Sequence, residues 1–382
     1  RVVLGDAPHS YDDVVAALPF RPAAGADAGD DAVSALGVRG EMTPGKVSLR
    51  DFNPLFPRLE MDVSSEGPTA GGAEYYDYPG EYALPPEGQA KASKRADALR
   101  CVHRRVAGRT LFPGMAPGAQ FALLSAPEGV AVGEYVITRL EHDWKLREDG
   151  FDLGFEALPA DVAYRPPVVT PAPVEPNPLT GFVTGPPGAD IHTDEWGRVK
   201  VHFPWDRLQP KDDDCSDWIP VLQDNTGHSS AMSRTGWEVL VSFLEGDPDR
   251  PVVLGRVYNG EDPFYSPLPD RKMRVALRSV TSPRYLGLQT PANFIQFDDY
   301  AGAEAIQIHA ERNQDVVVLN EKQEQVDSTE SLSVGGNETV TIAGDQKIQT
   351  TGSLMPEVLG NHTRKVSGSK TVAVAQAGAE GI

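Results

Sequence analysis

The strongest pattern in the chain is an eight-residue step in its last stretch. Val318, Val326, Val334, Ile342, Val358, Val366 and Val374 fall eight residues apart or at multiples of eight, with Thr350 in the missing place. Gly336, Gly344, Gly352, Gly360 and Gly368 keep the same step, and so do Asn337, Asp345, Ser353, Asn361 and Ser369. Eight is neither a heptad nor a multiple of 3.6, so the step does not describe a coiled coil. Eight is even, so strand alternation stays in phase from one repeat to the next. Each octad reads as one strand plus a corner. Glycine suits the corner because it accepts positive φ, and Asn and Asp tolerate that region too. Val334 and Val340 bracket one corner, Ile342 and Ile348 the next. A single strand with one thin apolar stripe buries too little to offset its ordering entropy. A one-chain β-solenoid uses longer rungs. Three chains wound about one axis, one octad per face, suit the step better. Each octad would then add one inter-strand spacing, and eight octads would make a rod of about 40 Å. Such a prism leaves no open strand edge except at its ends.

The patterning upstream is of other kinds. Residues 90–106 predict a helix, with apolar positions at Ala92, Ala96, Leu99 and Val106 and with Lys91, Lys94, Arg95 and Arg100 on a solvated face. Residues 120–124, 134–140 and 151–158 alternate as strands do. Two Ala/Gly/Asp-rich stretches, 23–35 and 64–73, read as insertions. Residues 166–178 are rich in proline and predict an extended, semi-rigid linker without a core. Beyond it, Val199-Lys200-Val201-His202-Phe203, Val239-Leu240-Val241-Ser242-Phe243 and residues 252–258 read as strands, with turns at 194–197 and 245–249. Several short strands within about 85 residues predict a small closed barrel.

Composition narrows the function. The chain has 382 residues and a formal net charge of -20, which repels nucleic acid and anionic membrane surfaces. No apolar run approaches the 18–20 residues or so of a membrane span. The N-terminus has no signal-peptide pattern and starts inside a strand-like run, so upstream sequence is expected. Cys101 and Cys215 have no metal or redox spacing. His192 and His202, near Asp190, Asp194 and Glu195, match no zinc spacing. The acidic stretch at Asp212-Asp213-Asp214 and Asp217 lacks the alternation of a calcium loop. His309 and His362 lie in or near the repeat, where an inward His would meet two copies of itself. No cofactor, metal or catalytic residue is expected.

Longer motifs carry a family resemblance. Val183-Thr184-Gly185-Pro186-Pro187-Gly188, the run 191–201 ending Trp196-Gly197-Arg198-Val199-Lys200-Val201, Gly236-Trp237-Glu238-Val239, Glu245-Gly246-Asp247-Pro248-Asp249-Arg250-Pro251 and Gly255-Arg256-Val257-Tyr258-Asn259 resemble the VgrG spike proteins of type VI secretion systems. Phe112-Pro113-Gly114 and residues 133–142 look similar as well. The resemblance covers about residues 90–375 and is weaker before 90. It implies a mainly β chain with residues 1–165 as the C-terminal part of a phage-hub-like α+β domain. After the linker come an OB-fold barrel at 179–262, a neck or connector at 263–309, and a trimeric triple-stranded β-helix of octads at 310–382. It implies a homotrimer that sits on an inner-tube ring at its base. The small apolar tail at Ala373, Val374, Ala375 and Ala377 would dock a PAAR-like tip protein, and effector cargo is possible. Such a spike is assembled in the bacterial cytoplasm and then secreted or injected into a target cell. The sequence departs from the family in three ways. The hub part is about half the expected length, the loop at 224–233 is short, and no effector domain follows the shaft. Two alternatives remain: the spike of a phage tail or extracellular injection particle, and a trimeric β-helix depolymerase.

Overall fold

The computed structural model describes residues 8–22, 31–145, 150–224, 230–282 and 291–373. The strand-like start at residues 2–4 and most of the 23–35 insertion lie outside them. The chain divides into two units, Arg1–Leu268 and Pro269–Ile382.

The first unit holds three bodies. Strands β1 (Val14–Leu18), β2 (Val33–Gly40), β3 (Lys46–Leu49), β4 (Val63–Glu66) and β5 (Glu74–Asp77) precede helix α1 (Pro85–His103). Strands β6 (Arg104–Thr110), β7 (Gln120–Leu123), β8 (Gly133–Lys145) and β9 (Gly150–Pro159) follow it. Six of them form one sheet in the order β1-β7-β8-β9-β6-β2. Its core is Leu18, Val33, Phe121, Tyr135, Ile137, Leu153 and Phe155, with Phe121 edge-on to Phe155 at 5.4 Å between centroids. A smaller sheet, β4-β3-β5, packs Val47, Leu49 and Met61 under Ala92 and Ala96 of α1. Both parts of the sequence expected as insertions thus contribute structure: Val33 starts β2, and β4 occupies the start of the second. In each case one or two apolar residues flanked by small polar ones find a neighbouring strand, which composition does not reveal.

The helix begins earlier and ends sooner than the 90–106 pattern predicts. Pro85 and Pro86 lie in its first turn, where a missing N–H costs nothing. Glu87 accepts hydrogen bonds from the amides of Ala83 and Leu84 at 3.0 and 3.3 Å. At the other end Arg104 is extended, and Val106 is a strand residue facing the sheet core. The basic face is not simply solvated, since Arg95 pairs with Asp77 at 2.6 Å and Lys91 with Glu81 at 3.3 Å.

After the stretch 166–178, which forms no helix or strand and is exposed except at Glu175, the third body is the barrel. Strands β10 (Leu179–Thr184), β11 (Lys200–His202), β12 (Glu238–Phe243) and β13 (Pro251–Val257) lie in the order β11-β10-β12-β13. Ile219 bridges Val199 beside β11, and Val221 bridges Val253 of β13. The short run 219–221 therefore joins the two edges and closes the sheet. Pro220, without an N–H, still accepts the amide of Val253 at 2.9 Å. The interior is Val183, Val199, Val201, Ile219, Val239, Val241 and Val253.

The second unit opens with a three-stranded antiparallel meander, β14 (Arg274–Arg278), β15 (Phe294–Asp298) and β16 (Ala305–His309). The stretch expected only as a connector therefore contains a sheet. Its alternation, Val275/Leu277, Ile295/Phe297 and Ile306/Ile308, is a period-two signal of the ordinary kind. The octads follow it.

Candidate functional site

In the shaft, from residue 311 to 373, every residue is exposed in the single chain. Its chain bends at 319–320, 327–328, 335–336, 343–344, 351–352, 359–360 and 367–368, one bend in every eight residues. Between bends the described residues form no helix and no strand ladder within the chain. Val318, Val326, Val334, Ile342, Val358 and Val366 are 45–53 % exposed, whereas the other large apolar side chains of the shaft are 67–98 % exposed. A second apolar column, of which the octad reading used only Val340 and Ile348, lies two residues before the first: Val316, Leu332, Val340, Ile348 and Val372. Positions i and i+2 of a strand share a face. Each octad therefore offers a pair of positions on one side, broken by Glu324, Pro356 and Arg364.

Gly336, Gly344, Gly352, Gly360 and Gly368 are each the second residue of a bend, followed by Asn337, Asp345, Ser353, Asn361 and Ser369. None of these glycines has a positive φ, which corrects the reason expected for them. The bend is made without the left-handed region, so the chain's own backbone does not demand glycine there. A Cβ added at any of them would meet nothing of this chain within 4 Å. Of the tail residues, Ala373 is exposed; Val374, Ala375 and Ala377 lie outside the described residues.

A second feature ties the hub part to the barrel. Asp51, just after β3, is a buried carboxylate. It accepts hydrogen bonds from Arg250 Nη2 at 2.6 Å, from the Phe52 amide at 2.7 Å and from the Tyr82 amide at 3.2 Å. Burial pushes its pKa up, but the Arg250 and backbone hydrogen bonds and the Arg250 charge outweigh that and hold it below the usual carboxylate range. Arg250 is held in place by the turn between β12 and β13. There Leu244 N donates to Arg250 O, and Glu245 and Gly246 have φ of 57° and 77°.

The polar groups that sequence singles out are occupied locally. His192 packs on Trp218 at 4.9 Å, and His202 is buried in the barrel. Asp194 accepts the Trp196 and Arg198 amides and pairs with Arg198, while Asp190 pairs with Arg234. Cys215 Sγ lies 3.0 Å from Thr184 Oγ1, and buried Cys101 contacts Ala163 O and Arg165 N. His309 stacks on Phe294 and lies 3.3 Å from Glu311. His362 and Asp212 through Asp214 lie at or near the surface. Among the described residues no group of three His, Cys, Asp or Glu side chains is arranged to hold a metal. An open groove of about 550 Å³ on the large sheet is spanned by Arg39–Glu156 and Arg109–Asp152 at 2.8 and 2.6 Å.

Comparison with known proteins gives three consecutive family matches. A phage tail baseplate hub family matches residues 1–148, the type VI secretion system/phage-baseplate injector OB domain residues 181–258, and the bacteriophage T4 gp5 C-terminal trimerisation domain residues 277–382. The chain is 40 % identical to the type VI secretion system spike protein VgrG1c of Pseudomonas aeruginosa over 299 residues, 74 % of this chain and 41 % of that protein. It is 39 % identical to VgrG1a of the same organism over 77 % of this chain and 47 % of that protein. It is 28 % identical to the actin cross-linking toxin VgrG1 of Vibrio cholerae, over 86 % of this chain and 31 % of the toxin. The chain thus spans less than half the length of these relatives. Among solved structures, an E. coli type VI secretion component similar to phage tail proteins aligns with a TM-score of 0.34 at 20 % identity, over 58 % of this chain and 57 % of that one.

Proposed function

The chain belongs to the VgrG family of type VI secretion spike proteins, and on that premise we propose that it is a mechanical part: a homotrimeric spike that leads a contractile injection machine through a target envelope. The observation that carries this reading is the shaft. Its apolar columns stay exposed along a chain that bends every eight residues. The match of the trimerisation domain to residues 277–382 supports a homotrimer. Three copies would turn the Val318 column inward, and the glycine corners would leave room for a neighbouring chain. We take 1–165 as hub-like, 179–262 as the barrel, 263–309 as the neck and 310–382 as the shaft. The hub-like end would sit on the inner-tube ring, and the tail would seat a PAAR-like tip protein and any effector cargo. Assembly in the bacterial cytoplasm followed by secretion or injection follows from the same reading. We assign no catalytic role to this chain; the polar clusters that could carry one are engaged in local hydrogen bonds and ion pairs.

The test is native mass in solution together with an unheated SDS gel. Three times 41.2 kDa, persisting at low concentration and in SDS, is expected for interlocked strands whose release breaks many bonds at once. A stable monomer would refute the reading.

A further inference from the structure

The small sheet β4-β3-β5 packs one face under α1. Val47 and Leu49 lie there, so Ser48 and its register partners Ser64 and Tyr76 stand on the other face. Tyr76 is part of the wall of an open cleft of about 410 Å³, within the size range of ligand pockets. Arg50 and Tyr78 line it too, as do Phe52, Pro57 and Leu59 of the loop after β3. Phe52, Tyr76 and Tyr78 are 43–56 % exposed, and the same loop exposes Leu55 and Phe56. The loop is fixed from beneath. Asn53 is buried; its Oδ1 accepts the amides of Leu55 and Phe56 at 2.9 and 3.3 Å, and its Nδ2 donates to Ala83 O at 2.9 Å. Leu59 N donates to Phe56 O at 2.9 Å. A surface ordered before its partner arrives loses little further entropy on binding.

We infer that this cleft binds an extended, proline-rich segment of a second protein. The class of ligand follows from which groups of the wall remain unsatisfied. Tyr11, Tyr75, Tyr82 and Tyr135 donate their hydroxyls to acceptors of the chain. Among the described residues, the hydroxyls of Tyr76 and Tyr78 do not. Arg50 meets Asp62 only through Nε, at 3.7 Å. The one carboxylate of the wall, Asp51, already accepts three hydrogen bonds. The cleft therefore offers hydrogen-bond donors and apolar rings, with no free carboxylate. A polyproline II segment matches this on each count. Its carbonyls have no internal partner, its prolines carry no N–H, and its rings pack against aromatic side chains. A sugar, rich in hydroxyl donors, would find no free carboxylate to receive them. Asp62 beside Arg50 and Arg250 beside Asp51 offset the charges of the wall, so a neutral segment fits better than a charged one.

The test is fluorescence anisotropy of fluorescein-labelled decaproline with the full chain. Saturable binding is expected with a Kd below about 1 mM, and a Gly/Ser decapeptide should bind at least about tenfold more weakly. Tyr76→Ser and Phe52→Ser should each weaken decaproline binding at least about tenfold, as loss of an aromatic anchor does. Trp205→Ser, at an exposed aromatic of the barrel, should leave it unchanged. Tyr76→Phe keeps the ring and removes the donor, and should weaken binding about threefold or more. That variant decides the matter if the serine variants do not fold. No saturable binding of decaproline, equal binding of the Gly/Ser peptide, or an unchanged Kd in the Tyr76 and Phe52 variants overturns the inference. So does displacement of the probe by chitotetraose at lower concentration than by unlabelled decaproline, which would make the cleft a sugar site. Neither outcome bears on the homotrimer.

Discussion

Replacing Arg250 by Ala should loosen the hub part from the barrel. The Asp51 side chain is fully buried, and Arg250 is 26 % exposed. Breaking a buried ion pair by removing one partner typically costs about 3–5 kcal/mol, because the remaining charge is left uncompensated. Asp51 would keep its two backbone donors, Phe52 and Tyr82, and water can approach through the space vacated by Arg250. These retained partners bring the expected loss to about 2–3 kcal/mol. Urea unfolding of the full chain, followed by tryptophan fluorescence of the barrel, should show this loss. Hydrogen exchange should show faster exchange at the Tyr82 amide and in the turn 244–250. A double-mutant cycle with Asp51→Asn isolates the pair and should return about 2 kcal/mol of coupling. The pH dependence has a definite sign. Asp51 has a folded-state pKa below its unfolded value, so its contribution is complete above the unfolded value of about 3.9 and fades as pH falls through the depressed folded one. The coupling should therefore be constant from neutral pH down to about 5 and disappear in strong acid, and Asp51→Asn should remove that acid-sensitive component. A coupling below about 0.5 kcal/mol, the level of an exposed surface pair, would refute the clamp.

The shaft and the tail make further predictions. Ile342→Asp should abolish SDS resistance and lower the dissociation temperature of the trimer. Three inward isoleucines, at about 1.5–3 kcal/mol each, would lose their burial. Thr339→Gln, an exposed change on the opposite side of the same segment, should leave both unchanged, and equal effects would argue that the Ile342 column does not face inward. Deleting residues 373–382 should abolish binding of a PAAR-like tip protein in a pull-down while the native mass remains trimeric; undiminished binding would place the tip contact elsewhere.

The octad step is covalent and local, so the sequence alone established a shaft with one bend per repeat and a valine column. The barrel strands were legible for the same reason, since alternation at Val199 through Phe203 and Val239 through Phe243 depends only on neighbours in the chain. Other features were decided between distant residues. Closure of the barrel rests on three residues around Pro220, too few and too irregular to read as a strand until Val199 and Val253 flank them. The parallel pairing of β1 with β7 and the ion pair between Asp51 and Arg250, 199 residues apart, leave no local trace. The helix limits were set by Pro85 at one end and by the pull of Val106 into the sheet core at the other. The glycine corners divide between the two levels. Their positions follow from the repeat, but the reason for glycine does not, because backbone conformation and clearance are properties of the folded chain. The meander divides the same way: its alternation is written in the sequence, but which face stays open was settled only when Gln296 and Gln307 closed the other.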